Sequence, residues 1–421
     1  MSRGWVRLQA AAVSGSVAEG VMLTTLPLVA VSITTDPREV SLVNIVGQSP
    51  WLLFSLFAGV LIDRVRRTTV LGFAYGVQAC AALVFAVAGL AGAVDLPLLL
   101  VLAFVVTSAQ VLGDGASGAL VPEVVEPAEF ASANTRLMLI DRGVVQFVVP
   151  PAAGFLVGFG FGMPPWLALV AALVALLVSR GIPARSVTRS RRHPLRDIGE
   201  GLRFLVGTPL LLSITVAVAL GSFGASAQMS MFVLYVHEVL GLGAVGYGVM
   251  MTCMAVGWVA SSFVVRRVVA RLGYAWSMRL AQVGMVVCHL LVAVLPPWAG
   301  GIALVVFAES AIVMVWNVCS QSSRQRFTPA ELLGRVLTGH RALAWGLTPL
   351  GALAGGLVAA WLGLREVYLM VTLVQVAALV VAWRGLSPRS FARQEAETDR
   401  LIAARAAADE DAGCRTSGRT P

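Results

Sequence analysis

Residues 40–68 read Val-Ser-Leu-Val-Asn-Ile-Val-Gly-Gln-Ser-Pro-Trp-Leu-Leu-Phe-Ser-Leu-Phe-Ala-Gly-Val-Leu-Ile-Asp-Arg-Val-Arg-Arg-Thr. The apolar part is long enough to cross the roughly 30 Å hydrocarbon core of a bilayer as a helix, which takes about 20 residues. It stops on Asp63, Arg64, Arg66 and Arg67, a cluster that belongs in water or among lipid headgroups.

The same pattern repeats along the chain. Apolar runs fall at about 8–32, 40–62, 68–93, 97–120, 137–161, 164–181, 208–236, 245–265, 277–296, 300–322, 336–362 and 367–384. Short turns at Asp95–Pro97, Met163–Pro165 and Pro296–Pro297 divide adjoining runs. The expectation is an all-α polytopic membrane protein of twelve transmembrane helices, in two pseudo-symmetric halves of six around a central cavity. Composition agrees: 58% of the 421 residues are apolar and only 13% charged, against about 25% charged in soluble domains. The first run is too long for a signal peptide and carries Glu19 near its centre.

All 31 basic residues are Arg, and the net charge is +9. In a soluble protein this would suggest nucleic acid. Here the arginines punctuate apolar runs, so topology explains them and no nucleic-acid partner is expected. With the N-terminus in the cytoplasm, Arg38 and Arg365 fall on outer loops and Arg142 begins the fifth span. The other arginines fall on inner loops, inner helix ends or the termini. Both termini are therefore expected in the cytoplasm, with the chain in the cytoplasmic membrane.

The expected organisation is a six-helix half at 1–181, a cytoplasmic linker at 182–207, a second half at 208–385 and a partly disordered tail at 386–421. Within the linker Leu195, Ile198, Leu202 and Leu205 share one helical face, as in a helix lying on the membrane surface. Each half has a basic inner loop after its second span, at Arg64–Arg67 and Arg266–Arg271. Repeats of this kind place a substrate site between the halves.

Polar residues inside spans are costly and so informative. Asn44, Gln48, Trp51 and Ser55 share one face of the second span. Thr107, Gln110, Asp114 and Ser117 do so in the fourth, and Thr338, Arg341, Trp345 and Thr348 in the eleventh. The first span pairs Ser16 with Glu19, and the tenth aligns Glu309, Val313, Trp316 and Ser320. Such stripes either line a cavity or bond helix to helix; several in one chain favour a cavity. Trp51, Trp316 and Trp345 offer flat faces to ring systems or organic cations, or pack between helices.

Cys80, Cys253, Cys288, Cys319 and Cys414 form no CxxC pairs and read as packing residues or tail, not as ligands. The sequence has no HExxH, GxSxG or Walker loop, and its four histidines, His193, His237, His289 and His340, are scattered. A polytopic enzyme is thereby disfavoured, and neither cofactor nor metal is expected. His289 reads as a packing residue of the ninth span.

Residues Gly59-Val60-Leu61-Ile62-Asp63-Arg64-Val65-Arg66-Arg67 resemble the signature loop of the major facilitator superfamily, G-x-x-x-D-R-x-G-R-R. Gly59, Asp63, Arg64 and Arg67 match; Arg66 replaces the late Gly and Thr68 the last basic residue. Leu120-Val121-Pro122-Glu123 with Ala133-Asn134, Glu200-Gly201-Leu202-Arg203-Phe204 and Leu333-Gly334-Arg335-Val336 are similar to the proton-coupled drug antiporters related to macrolide-efflux and enterobactin-exporter proteins. The second-half loop has Ala270 where an acid is expected, and the fifth span reads Pro150-Pro151-Ala152-Ala153-Gly154 where that group has Gly-Pro.

The resemblance implies alternating access, a monomer, a small organic substrate and export driven by proton entry. Fold alone leaves uptake of a nutrient or siderophore as the alternative. It further implies that Gly59, Asp63, Arg64 and Arg67 form a conformational switch motif against the eleventh span, with Arg335 and Arg341 as inner-gate partners; Arg64 and Arg67 could instead pair with other acids or bind anionic lipid headgroups. Glu19 is the first candidate proton carrier, because a mid-membrane carboxylate is poorly solvated; it could equally tie helices together. Asp114 and Glu309 are the other two.

Overall fold

Asp95 opens the fourth span, Leu96–Val124: its carboxylate accepts the Leu98 N–H at 3.0 Å, with a proline in the first turn. Just before it, the third span, Arg67–Ala91, ends at Gly92 in the left-handed conformation, φ 63°. The Gly92 and Ala93 N–H groups close back on the carbonyls of Gly89 and Ala88. Two capped ends three residues apart make a tight hairpin.

The computed structural model describes residues 3–126, 133, 136–137, 140, 143–157, 162–183, 194–329, 332, 336–337, 339–340, 343–344 and 346–400. The first span is Arg3–Ile33, the second Pro37–Arg64, the sixth Met163–Ser179 and the seventh Pro209–Leu234 with a wide π turn at Tyr235–Val239. The tenth is Ala299–Arg326, the eleventh includes Thr348–Trp361, and the twelfth is Leu364–Trp383. The chain is an all-helical membrane protein with the twelve-span, two-half architecture, and the described residues contain all or part of each span.

The eighth and ninth spans form one helical run, Ala244–Val294, broken only at Gly273 (φ 71°, ψ 169°). The sequence places the inner end of the eighth span near residue 265. The helix instead runs on through Arg266, Arg267 and Arg271, because arginine is a good helix former in water. Gly273 stops it by adopting a conformation that costs other residues about 1–3 kcal/mol.

In the fifth span a π turn, Val144–Val148, runs directly into Val149–Val157. Pro150 and Pro151 lack the N–H groups that would close the ordinary ladder, and the widened turn lies just before them. The break that two adjacent prolines make in a helical ladder is thus present as an extra residue in one turn.

Within the first half the first span packs on the sixth, the second on the fourth, and the third on the fourth and sixth. Within the second half the seventh span packs on the eleventh and twelfth. The eighth meets the tenth so closely that a Cβ on Gly257 would lie 2.3 Å from the Phe307 carbonyl oxygen. Ser261 donates to Ala311 O at 2.8 Å across the same pair. Without a hydrophobic drive between helices in lipid, small residues at crossings supply the close packing.

Between the halves, the second span packs on the eleventh and the fifth on the run that holds the eighth. A Cβ on Gly356 would sit 2.1 Å from Ser41 Oγ, and one on Gly154 would sit 3.0 Å from the Gly248 Cα. The Arg38 guanidinium lies 5.9 Å from the Trp361 ring centre. These contacts all fall at the end of the bundle away from the N-terminus.

The linker helix is Pro194–Gly207, with Leu205 fully buried and Leu202 backed against Gly339. Residues 388–400 of the tail are helical. Phe391 meets Phe327 edge-on with ring centres 6.0 Å apart, and Glu395 pairs with Arg326. The tail thus closes over the C-terminal end of the tenth span.

Candidate functional site

Glu19 is 4% exposed, mid-way along the first span. The Gln110 side-chain amide of the fourth span donates to its Oε1. Tyr75 of the third span lies near both Glu19 and Asp114 and hydrogen-bonds with Ser117. Asp114 is exposed one turn beyond Gln110, where the polar face of the fourth span continues toward its C-terminal end. The fold therefore gathers Glu19, Gln110 and Asp114 along one seam of the first half. The tyrosine in that seam was not marked by the sequence.

Glu309 of the tenth span is 9% exposed. Its Oε1 accepts from the Gln228 amide of the seventh span at 2.8 Å and lies 3.2 Å from His289 Nε2 of the ninth. The other imidazole nitrogen, Nδ1, is 2.7 Å from the Met285 carbonyl. His289, read from the sequence as a packing residue, is in fact the ionisable partner of Glu309. Its partner stands on the next span, outside any window of helical spacing; the only available signal was a lone histidine in an apolar run. Tyr235 and Tyr368, rings 5.0 Å apart and edge-on, cap this cluster on the side away from the N-terminus together with Met250, Met251 and Val292.

The motif arginine Arg67 spans two sequence signatures. Its Nη1 is 2.9 Å from Glu123 Oε1 and donates to Ala119 O at 2.7 Å, tying the start of the third span to the end of the fourth. Gly59, Asp63 and Arg64 lie in the last turns of the second span, but their side chains are outside the described set. Arg335, Arg341, Trp345 and Arg142 also lie outside the described residues.

Asn44 is half-buried, with its amide nitrogen unpartnered, and Gln48 is exposed. Trp51 is half-buried at the edge of the first half's core. Beside this face, Phe54 of the second span and Phe104 of the fourth meet edge-on at 5.8 Å. Trp316 is 5% exposed and packs with Leu210, Ile214, Met278 and Met285, so the structure places it in the core of the second half. Among the described residues no group of three or more His, Cys, Asp or Glu converges as a metal cage.

Two six-helix halves, joined at one end, with a buried carboxylate at mid-depth in each, define a class: polytopic helical carriers with a site between repeats. The profile of the Major Facilitator Superfamily matches residues 10–347, and the chain belongs to that superfamily of transporters. It is 25% identical over 398 residues to the multidrug efflux pump Tap of Mycolicibacterium fortuitum, covering 88% of this chain and 93% of that protein. In fold it is similar to a bacterial homologue of the iron transporter ferroportin in an inward-facing state (TM-score 0.74, 16% identity, 91% of this chain and 99% of that one). It is also similar to the nucleoside transporter NupG (0.73, 12%, 91% and 100%). A bacterial homologue of the lysosomal transporter Spinster, inward-facing and unoccupied, is a further fold relative (0.70, 13%, 94% and 99%).

Proposed function

We propose that this transporter exports drug-like or secondary-metabolite small molecules across the cytoplasmic membrane in exchange for protons. It works as a monomer by alternating access, with both termini in the cytoplasm. The observation that carries this reading is the pair of buried carboxylates, Glu19 and Glu309, each held by an amide from a neighbouring span. A carboxylate in that position costs about 2.5–3.5 kcal/mol on insertion scales when charged, so it is retained for a task such as proton carriage. The likeness to the efflux pump Tap supports the direction. With the N-terminus cytoplasmic, the halves meet at the outer end and the site faces inward. In this scheme Asp63, Arg64 and Arg67 would switch against Arg335 and Arg341 as the inner ends close. Asn44, Gln48, Trp51 and Trp345 would meet substrate, with Asp114 a further proton acceptor.

The test uses inside-out vesicles with an energised proton gradient followed by a pH-sensitive dye. Macrolides, cationic dyes and siderophores are added in turn, with Glu19→Gln in parallel. Collapse of the gradient by one compound, abolished in the variant, is the expected result. A gradient that no compound disturbs in verified membranes sinks proton antiport of these classes.

A further inference from the structure

The hydrogen-bond geometry around His289 constrains where protons sit. A backbone carbonyl only accepts, so the 2.7 Å contact with Met285 O makes Nδ1 the protonated nitrogen. The Nε2 atom then faces Glu309 Oε1 at 3.2 Å. A lone pair facing a carboxylate oxygen repels it; the contact requires one proton between the two atoms, as imidazolium with carboxylate or as imidazole with carboxylic acid. Gln228 donates to the same oxygen, so the seventh, ninth and tenth spans converge on that atom.

We propose that His289 and Glu309 together hold one exchangeable proton, and that this pair, not Glu309 alone, is the proton carrier of the second half. The proposal rests on the proton-exchange reading above. Release takes the pair from one shared proton to a neutral Nδ1–H imidazole and a carboxylate, with the proton passing to water. The departing proton leaves a net negative charge and a repulsive Nε2···Oε1 contact, which drives the ninth span from the tenth.

Gln228, bonded to the same oxygen, carries that movement to the seventh span. Among the described residues, the other titratable groups facing the pair are Cys288 on the same helix as His289 and Tyr368 on the twelfth span, with Tyr235 against Tyr368. The Tyr368 hydroxyl is buried with no hydrogen-bond partner. The tyrosine cap bars water on the outer side, so in this conformation the proton leaves inward.

The test uses the purified full chain in liposomes with ethidium as the probe and two assays. Equilibrium exchange needs no net proton movement; accumulation driven by a pH gradient does. His289→Gln and Glu309→Gln are each expected to lose at least about tenfold of the gradient-driven accumulation, a far larger loss than that of equilibrium exchange. Accumulation intact in His289→Gln, or exchange lost together with it in a folded variant, overturns the proposal. Wild-type exchange that ignores the gradient overturns proton coupling itself, and is told apart because it appears without any mutation.

A second readout needs no substrate and no tolerance of a variant. In ring-15N-histidine protein, the His289 signal is expected to change protonation in the course of a pH titration. Its midpoint should move in Glu309→Gln. A His289 ring that holds one state throughout, or that ignores Glu309, overturns the proposal.

Discussion

Gln228 on the seventh span donates to Glu309 on the tenth, and the first half repeats the relationship with the residues exchanged: Gln110 on the fourth span donates to Glu19 on the first. First and fourth spans in one half correspond to seventh and tenth in the other. Each half thus joins its first and fourth helices by a carboxylate–amide bond inside the bundle, and the acid has changed sides.

That exchange predicts the behaviour of a swapped pair. Glu19→Gln alone should cut proton-driven transport by at least about tenfold, since the amide cannot carry a proton. Adding Gln110→Glu returns a carboxylate to the same bond and should recover a measurable part of the activity. Dye-reported proton flux in vesicles checks both. No recovery from the double variant, at wild-type protein levels, argues that the position on the first span matters in itself.

Arg67 and Glu123 form a largely covered, charge-assisted bond. Removing either side should lower stability by about 1.5–3 kcal/mol. Arg67→Ala and Glu123→Ala should lower the melting midpoint in detergent by similar amounts, and the double variant should fall well short of their sum. Additive losses would mean that the two residues do not depend on each other.

A Cβ at Gly356 meets Ser41 Oγ at 2.1 Å where the halves touch. Gly356→Leu should wedge the second span from the eleventh and shift the population toward the form open at that end. Spin labels on the second and eleventh spans, measured in the same detergent, should report a longer outer distance. An unchanged distance distribution would count against this contact as the closing surface.

Gly273 holds the only positive φ within the run from Ala244 to Val294. Gly273→Ala should cost about 1–3 kcal/mol with little effect on the substrate side. Thermal unfolding combined with a transport assay separates the two effects.

The spans, the basic loops and the break at Pro150 could be read from the chain because each is a local property. Hydropathy acts over one helix length, and a missing N–H acts within one turn. The Glu19–Gln110 bond was half legible: both residues stood on polar faces, but their pairing needs the angle between two helices. His289 was misread because its meaning comes from Glu309 on the adjacent span and Gln228 two spans earlier. Trp316 shared a stripe with Glu309, yet helix crossing turned it into the core. Spacing defines a face of a helix; only packing decides what the face meets.

The helix at 388–400 follows the twelfth span, so it can reach Phe327 and Arg326 only after every crossing has been synthesised. Until then Phe327, just beyond the C-terminal end of the tenth span, lacks its aromatic partner. Docking of Phe391 marks a chain whose twelfth span has been made. A truncated or stalled product lacks that cover, and quality-control proteases that recognise bare apolar surface have a feature by which to distinguish it.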